Sequence, residues 1–470
     1  MIYSMITNEE NKMNDRSLGR GVLIVLTLEK HVDGIWITKL VERLKESAPP
    51  CSSFSFPHIE VRIRSLEDWL AEGWLISDHS ENDNNHDRIL GIVNRVSDAA
   101  SPALFKACCA VLATAEHTLK IPVWNGNIAY SLCGNKWRHH LLFRQAKLLA
   151  PTTMVYYVPD DARRTINIDT QLFQQNNVNG RIELLVKPNA GGFGAGIRKI
   201  SFPLLLPPSS SSSDATPPLS TTTEILIPAS FEDNMVLIQQ YELPRDGRIY
   251  RVWFLNGKVQ CAVERKVMGV EETEDNVTTG VSSSEEFTSG CAGGNSCQFS
   301  GSTHEKKKTI LSSNNSNKHQ TTPPPSKILP WKVPVEVRQE IEDQLLPLLT
   351  DAHCGSVEFL YASSVVPQTT STVPICSSRN IDNGDTREKK SKNTTSNEST
   401  IQPRDCLHRR LYFDLNLLST LPLIDNNMDS IHDDDVEGDT VWSQHFDPWL
   451  ELAHSIWEFC MIADEERSRE

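Results

Sequence analysis

Residues 21–28 read GVLIVLTL, an apolar run interrupted by one threonine. A strand that is apolar on both faces has to be covered on both sides, which is typical of a parallel sheet with helices on each face. Strand and helix patterns alternate from this run to residue 125. Because such alternation builds parallel βαβ units, residues 19–125 are predicted to form an α/β layer. The predicted strands are 21–28, 59–66, 89–96 and 121–124, and the predicted helices are 33–46 and 102–119.

After residue 125 the pattern becomes that of antiparallel sheets with helices. The Asn256-Gly257 pair between two strand patterns is typical of a tight hairpin turn. Segments 357–361 and 411–415 are predicted to pair as a hairpin although a long segment separates them. This part of the chain is therefore predicted to be α+β. Its other predicted strands are 183–188, 197–200, 235–241, 250–255 and 258–264, and its predicted helices are 135–150, 334–346 and 448–462.

Three low-complexity segments interrupt the chain at 207–223, 269–327 and 362–407, and residues 1–18 form a polar tail. These segments are rich in Ser, Thr, Pro, Asn or Lys and lack the apolar periodicity that a packed core needs, so they are predicted to be disordered inserts. Lengthening a loop from about 4 to about 46 residues costs only about 2 kcal/mol of closure entropy. The inserts can therefore lie in surface turns of continuous domains.

Composition limits the partners and the compartment. With 46 Lys and Arg against 61 Asp and Glu, the net charge is −15, which argues against nucleic acid or an anionic membrane as the main partner. The eleven cysteines are scattered and form no CxxC pair, as expected of reduced thiols in a cytoplasmic protein. No run of about 20 apolar residues exists to cross a membrane.

Lys187-Pro188 ends a predicted strand and precedes a cluster of four glycines, namely Gly191, Gly192, Gly194 and Gly196. Glycines let backbone N–H groups approach phosphate oxygens, and a lysine supplies a point charge for phosphate. A mobile glycine hairpin is the alternative. The Walker loop and the dinucleotide-binding fingerprint are both excluded, because Ile197 stands where each motif requires another residue.

A second candidate site consists of Glu358, Asp414 and Asn416, which lie within apolar strand patterns. Asp414 and Asn416 share one face by the period of two. Three oxygen groups without a Lys or Arg between them are expected to repel unless a cation joins them, and oxygen ligands suit Mg²⁺ or Mn²⁺. Salt-bridged structural acids are the alternative. Arg410 stands where a protein-kinase catalytic loop would need Asp, which argues against that family.

Residues 236–242 read VLIQQYE. An extended segment of this kind can match the donor and acceptor on one edge of adenine through Gln239 and alternating backbone groups. A buried strand without a ligand is the alternative reading of the same pattern.

Taken in chain order, these pieces resemble the ATP-grasp superfamily and, most closely, its RimK-like carboxylate–amine ligases. The resemblance covers nearly all of the residues predicted to fold. The segments that carry it are Val93-Asn94-Arg95, Trp124-Asn125-Gly126, 133–153 (CGNKWRHHLLFRQAKLLAPTT), LLVKPNAGGFGAGI, VLIQQY, 246–265 (DGRIYRVWFLNGKVQCAVER), GSVEF and YFDLN.

The resemblance implies a role for each matching position. Lys136 and Lys187 match the two family lysines that contact phosphate, and Arg265 matches an arginine near the γ-phosphate and the acyl phosphate. Gly191, Gly192, Gly194 and Gly196 match the phosphate lid. The adenine hinge corresponds to Gln239, Gln240, Tyr241 and Glu242, and the ligands of Mg²⁺ (or Mn²⁺) correspond to Glu358, Asp414 and Asn416.

The sequence departs from the family pattern at two places. Asp414 is one methylene shorter than the usual Glu. Ile249 stands where RimK-like members often carry an Asp that contacts ribose or substrate, and Asp246 is a possible substitute.

The resemblance implies an ATP-grasp fold with an N-terminal pre-ATP-grasp α/β domain over 19–125, a central part over 126–235 and a C-terminal part over 236–470. ATP is expected between the last two. The implied activity joins a carboxylate to an amine through an acyl phosphate, with release of ADP and phosphate. Two alternatives remain: a small-molecule kinase of the same fold, similar to inositol-phosphate kinases, and a non-catalytic ATP-binding scaffold. The kinase would need a basic pocket, whereas Arg138, His139, His140, Arg144 and Lys147 are expected on the solvated face of a helix.

Overall fold

The computed structural model describes residues 20–50, 54, 58–72, 88–97, 101–158, 164–173, 181–190, 197–203, 222–227, 234–267, 328–362, 409–417, 421 and 447–469. The tail 1–18, the glycine cluster at 191–196 and nearly all of the three predicted inserts lie outside these residues.

The first sheet is parallel, as predicted, and has the order β2-β1-β3-β4. Its strands are β1 (Gly21–Thr27), β2 (Ile59–Ser65), β3 (Arg88–Asn94) and β4 (Val123–Trp124). Every residue of β1 is buried. Val22, Ile24 and Leu26 pack into one core, while Leu23 and Val25 pack into another on the opposite face. The continuous apolar run is therefore explained by burial on both faces.

Helices cover this sheet, and two of them begin at a serine whose side chain caps the first turn. They are α1 (Ile35–Glu46), α2 (Leu66–Ala71) and α3 (Pro102–Ala113), the last continued by a wider turn over Thr114–Thr118. Ser101 Oγ accepts a hydrogen bond from Leu104 N at the start of α3, and Ser65 Oγ accepts one from Asp68 N at the start of α2. Both side chains satisfy a backbone donor that the first turn leaves open.

The second sheet is antiparallel and has the order β5-β10-β7-β8. Its strands are β5 (Thr153–Tyr157), β7 (Arg181–Pro188), β8 (Arg198–Pro203) and β10 (Met235–Gln240). A two-stranded sheet of β6 (Thr165–Asp169) and β9 (Thr222–Leu226) packs on one face of it, where Ile166 and Ile225 join the core of the second sheet. The prediction that the first insert extends to residue 223 is wrong at its end, because β9 begins at Thr222.

The third sheet is antiparallel and has the order β13-β12-β11-β14-β15. Its strands are β11 (Arg248–Leu255), β12 (Lys258–Lys266), β13 (Ile328–Pro330), β14 (Cys354–Tyr361) and β15 (Arg410–Asn416). Asn256 and Gly257 both have positive φ in the turn between β11 and β12, as a twisted two-residue hairpin requires. The predicted pairing of β14 with β15 is confirmed, and Ala362, predicted to begin an insert, pairs with Pro244.

The helices of this half are α4 (Asn127–Cys133), α5 (Lys136–Gln145), α6 (Val335–Gln339) and α7 (Pro448–Arg469), with α6 continued by irregular turns to Leu348. The helix predicted over 135–150 is shorter than expected because Lys147 has a positive φ. By contrast α7 runs past its predicted end at 462. It packs beside the first sheet and contacts α1, where Trp457 Nε1 donates a hydrogen bond to Leu44 O. The predicted class, parallel α/β followed by antiparallel α+β, is confirmed. None of the described helices has the length and apolarity to cross a membrane.

Candidate functional site

Lys187 lies near the end of β7, on the face of the second sheet that points away from the β6–β9 pair. The side chain is buried, with 5% of the residue exposed. The pKa of this lysine is lowered to about 8: burial is the main cause and the charge of Lys136 adds to it, while the carboxylates of Asp414 and Glu358 act in the opposite direction. Four predicted site residues from four elements are thus close enough for their charges to interact.

Asn189 explains how the two lysines come together. Its backbone oxygen accepts a hydrogen bond from Lys136 N at 3.1 Å, and its side-chain Oδ1 accepts one from Trp137 N at 3.0 Å. Asn135 caps the same helix, α5, by accepting from Arg138 N. Since Asn189 follows Lys187 by two residues, these bonds fix the first turn of α5 beside the end of β7. The role of Asn189 in holding α5 was not predicted from the sequence. Its position directly after the Lys187-Pro188 pair was the signal that could have indicated it.

The predicted metal ligands lie on adjacent strands of the third sheet. Arg251, Glu358 and Asp414 are in register across β11, β14 and β15 and form one row, and Asn416 lies opposite Ser356, two pairs further along the strands. Residues directly opposite one another in neighbouring strands share a face. Arg265 on β12 pairs with Ile249, two residues from Arg251, so it lies on that face as well. The structure therefore brings Arg265 to the same surface as the three predicted ligands.

Each of the two carboxylates has a basic partner that the spacing in the sequence did not predict. Arg251 Nε lies 2.6 Å from Glu358 Oε1, and its Nη2 contacts the same oxygen. His139 Nδ1 lies 3.3 Å from Asp414 Oδ1. The strand register supplies the first cation and the rotation of α5 supplies the second, and neither is apparent from the spacing of the acids in the sequence.

His139 and His140 were expected on the solvated face of their helix, but the structure buries both. They are 2% and 8% exposed, whereas Arg138, Arg144 and Lys147 are exposed. His139 Nε2 lies 2.8 Å from the carbonyl oxygen of Leu132. Because a carbonyl can only accept, Nε2 carries a hydrogen, and the contact of Nδ1 with Asp414 is favourable when Nδ1 is protonated too. Burial lowers the pKa of His140 to about 4, and the charges of Arg144 and Lys187 add to this effect.

Burial of the Asp414 carboxyl would by itself raise its pKa. The contact with His139 and the charges of Lys136 and Lys187 outweigh that effect, so the pKa of Asp414 is lowered. The side chain is 35% exposed and thus still open to the cleft. It remains ionised at neutral pH and lies between cations.

The predicted adenine hinge lies at the end of β10. Gln239 Nε2 donates to Thr153 Oγ1 at 2.9 Å, and Tyr241 N donates to Glu183 O at 3.0 Å. Lys199 Nζ lies 4.0 Å from the centre of the Tyr241 ring. The side-chain nitrogen of Gln240 is buried and has no hydrogen-bond partner within the described residues. Glu242 is buried.

Ile249, which stands where RimK-like ligases often carry an Asp, is buried, with 6% of the residue exposed. The proposed substitute, Asp246, accepts hydrogen bonds from Arg248 N and from the hydroxyl of Tyr250. In the structure this carboxylate therefore stabilises the turn into β11. Gly191, Gly192, Gly194 and Gly196 lie outside the described residues.

The side chains of the cleft fit a nucleotide and a divalent cation in chemical type. Two lysines suit phosphate, and the oxygens of Glu358, Asp414 and Asn416 are ligands that Mg²⁺ accepts. In the described part of the chain no group of three or more His, Cys, Asp and Glu side chains forms a metal cluster. A cation would therefore depend on two carboxylates and one amide, and would share the carboxylates with Arg251 and His139.

No family model and no curated protein matches the chain. Among solved structures it is similar to the ATP-grasp ligase PsnB complexed with minimal precursor, with 12% identity, a TM-score of 0.41 and coverage of 94% of this chain and 98% of that chain. It is also similar to D-cycloserine synthetase DcsG, with 11% identity, a TM-score of 0.43 and coverage of 93% and 99%. For D-alanine–D-alanine ligase from Bacillus anthracis the identity is 10%, the TM-score 0.42 and the coverage 95% and 99%. These TM-scores are all below 0.5. The function of this chain is therefore inferred from its own strands and side chains.

Proposed function

We propose that this protein is an ATP-grasp ligase of the RimK-like type, which uses ATP and Mg²⁺ to join a carboxylate to an amine. The γ-phosphoryl group passes to the carboxylate to give an acyl phosphate and ADP; the amine then attacks the acyl carbon and phosphate leaves. The observation that carries this proposal is the meeting of Lys187 and Lys136 with Asp414 and Glu358 in the cleft between the second and third sheets.

The lysines are assigned to phosphate binding. Lys187 shares one face of the second sheet with Gln239 of the predicted hinge, and the contacts of Asn189 place the first turn of α5, which begins at Lys136, beside the end of β7. A buried lysine with few competing waters gives a stronger electrostatic interaction with phosphate than an exposed one does. Arg265, on the same face of the third sheet as Arg251, is assigned to the γ-phosphate and the acyl phosphate.

Glu358, Asp414 and Asn416 are assigned to Mg²⁺. When bound, this ion neutralises charge that develops on the transferred phosphoryl group. Arg251 and His139 hold the carboxylates of Glu358 and Asp414 in position. No nucleophilic side chain is required, because the substrate carboxylate itself attacks the phosphorus.

The predicted domain limits, 19–125, 126–235 and 236–470, are retained as part of the proposal, with the nucleotide between the second and third. The glycines at 191–196 are proposed as the phosphate lid, Gln239 to Glu242 as the adenine hinge, and a cytoplasmic location is retained.

One observation favours a second candidate, a non-catalytic ATP-binding scaffold. Both carboxylates of the proposed metal site already have a partner in the protein, Glu358 with Arg251 and Asp414 with His139. If those contacts persist with nucleotide bound and leave too few oxygens for a metal ion, phosphoryl transfer would not occur.

ADP release separates the two candidates and also tests the kinase alternative. Purified full-length protein is incubated with ATP, Mg²⁺ and a matrix of amino acids and small carboxylic acids, with Lys187→Ala as the control variant. The ligase predicts ADP release that requires both a carboxylate and an amine and is lost in the variant. Release that requires one acceptor and no amine would indicate a kinase. ATP binding without ADP release under any pair would support the scaffold.

A further inference from the structure

Arg95 directly follows β3, at the carboxyl edge of the parallel first sheet. It is 9% exposed, and among the described residues Arg95 and Lys187 are the two lysine or arginine residues that are buried. Its backbone is well fixed: Arg95 N donates to Leu26 O at 2.8 Å, and Thr27 Oγ1 donates to Arg95 O at 3.5 Å. The side chain is therefore held at a defined place by the ends of β1 and β3.

Among the residues that the structure describes, the guanidinium of Arg95 has no carboxylate partner of the kind that comparable arginines have. Arg251 contacts Glu358, Arg410 contacts Glu340, and Arg43 contacts Asp447. Within the described ranges, the ionisable neighbours of Arg95 are the thiols of Cys354 and Cys133. Burial raises the pKa of Cys354 even though Arg95 acts against the rise, so this thiol is uncharged at neutral pH and supplies no negative charge.

An unpaired buried charge is costly, because desolvation is not repaid by a partner. Burial lowers the pKa of Arg95 accordingly. Two observations favour an external anion as the partner of Arg95. The carboxyl edge of a parallel sheet is where open α/β sheets bind ligands. The residual exposure also leaves the side chain reachable from outside.

Asn125 connects this edge to the third sheet. Its side chain accepts a hydrogen bond from His353 N at 2.8 Å and donates to the carbonyl oxygens of Cys354 and Leu417. Leu417 follows Asn416, one of the proposed metal ligands. Arg95 itself has Cys133 and Cys354 as neighbours, and Leu417 N donates to Cys133 Sγ, so Arg95 lies near the end of β15.

We propose that Arg95 binds a carboxylate group of the ligase substrate and so selects acidic or amino-acid substrates. This assignment rests on the proposed ligase function. A guanidinium presents two parallel donors that match the two oxygens of a carboxylate. Among the described residues no lysine or second arginine acts on Arg95, and its single positive charge matches the single charge of a carboxylate better than the double charge of a phosphate. The phosphates of ATP are assigned to Lys136 on α5 and Lys187 on β7.

The test measures thermal unfolding of the full chain in sodium acetate and in sodium chloride at equal ionic strength, with acetamide as the uncharged control. Acetate at about ten times its dissociation constant is expected to raise the melting temperature of the wild type by about 2–4 °C over chloride. Arg95→Met is expected to abolish this difference, whereas Arg43→Met, which removes an arginine already paired with Asp447, is expected to retain it. Equal acetate responses in the wild type and Arg95→Met would overturn the proposal.

Two further arms remove ambiguity. Inorganic phosphate in place of acetate tests the other oxyanion, and protection by phosphate without protection by acetate would overturn the assignment to a carboxylate. Lys187→Ala is expected to lose the response to Mg²⁺–ATP and keep the response to acetate, so failure of the ligase proposal and failure of the Arg95 proposal give different results. If Arg95→Met does not fold, Arg95→Lys replaces it and is expected to weaken the acetate response several-fold. An unchanged response, or a second failure to fold, would mean that the guanidinium is structural and the proposal is wrong.

Discussion

Arg251 and Glu358 form an ion pair across β11 and β14, with Arg251 Nε 2.6 Å from Glu358 Oε1. Their side chains are 18% and 7% exposed, so solvent screens the pair little. The negative charge of Glu358 is thus compensated by the protein itself. A divalent cation at this carboxylate has to share it with Arg251, and this requirement makes the metal step the most informative one to test.

Replacing Asp414 with Asn keeps the shape of the side chain and removes one charge. We expect kcat to fall by about 10²–10³-fold while ATP still binds, because interactions with developing charge matter most in the transition state. Steady-state ADP release and calorimetry with ATP measure the two quantities. Asp351→Asn, at an exposed acid outside the cleft, is the control. Wild-type turnover in Asp414→Asn would remove this residue from the chemistry.

The same variant tests the electrostatics of the folded protein. Spacing alone suggests that removing one of several clustered acids would relieve repulsion, whereas the structure places Asp414 between His139, Lys136 and Lys187. The pKa of Asp414 is lowered by folding, so its contribution to stability is present above a pH of about 4 and is lost as the pH falls through the folded-state value. Asp414→Asn should therefore melt below the wild type at pH 7, with a difference that shrinks at acidic pH. A higher melting temperature at pH 7 would contradict this.

Lys187→Ala should weaken ATP binding by about 10- to 150-fold. This range corresponds to the loss of one charge-assisted contact, roughly 1.5–3 kcal/mol. Calorimetric titration with ATP gives the affinity. Lys258→Ala serves as the matched control, because Lys258 is exposed and pairs with Glu342. An unchanged affinity in Lys187→Ala would exclude this lysine from the nucleotide site.

The pKa of Lys187, lowered to about 8, predicts a pH dependence of ATP affinity. A polyanion binds the protonated lysine, so the affinity should fall as the pH rises above 8, by up to about tenfold per pH unit, until the pKa of the complex is reached. Lys187→Arg keeps its charge throughout this range and should give a much flatter profile. Identical profiles for the two proteins between pH 7 and pH 10 would refute the assignment.

The sequence was sufficient where local pattern decides structure. The apolar run in β1 and the Asn256-Gly257 turn each depend on neighbouring residues, and both are found as predicted. The strands β6 and β9 were missed because they are short, of mixed polarity and adjacent to low-complexity sequence. Their stability comes from packing on the second sheet, which no local pattern records.

The candidate site divides in the same way. Lys187, Asp414 and Glu358 were visible as charged residues in apolar strands. Their cationic partners were not, because the contact between Arg251 and Glu358 joins residues 107 positions apart through the strand register. His139 belongs to a polar helix whose rotation is set by Asn189 and Asn135. Such contacts are properties of the assembled cleft.

Asn125 offers a test of how the first and third sheets are joined. Its side chain makes hydrogen bonds to the backbone of His353, Cys354 and Leu417, and its φ is 52°. Asn125→Ala should lower the free energy of unfolding by about 2–4 kcal/mol, since several buried bonds are lost and alanine tolerates this φ poorly. Asn256→Ala, at an exposed asparagine with φ 46°, isolates the backbone strain. Equal losses in chemical denaturation would show that the side-chain bonds of Asn125 contribute little.

Shortening the long segments tests whether they are needed for folding. The residues on either side of each segment already lie side by side: Arg265 pairs with Ile328 across β12 and β13, and Tyr361 pairs with Arg410 across β14 and β15. Deleting 270–326 and replacing 363–406 with a short turn therefore needs no movement of the sheets. We expect an equal or higher melting temperature, because closing a shorter loop costs less entropy, and unchanged ATP affinity by calorimetry. A control with 363–406 replaced by a Gly-Ser segment of equal length separates loop length from sequence. Loss of folding in the shortened chain, with folding retained in natural full-length protein, would show that these segments pack against the core.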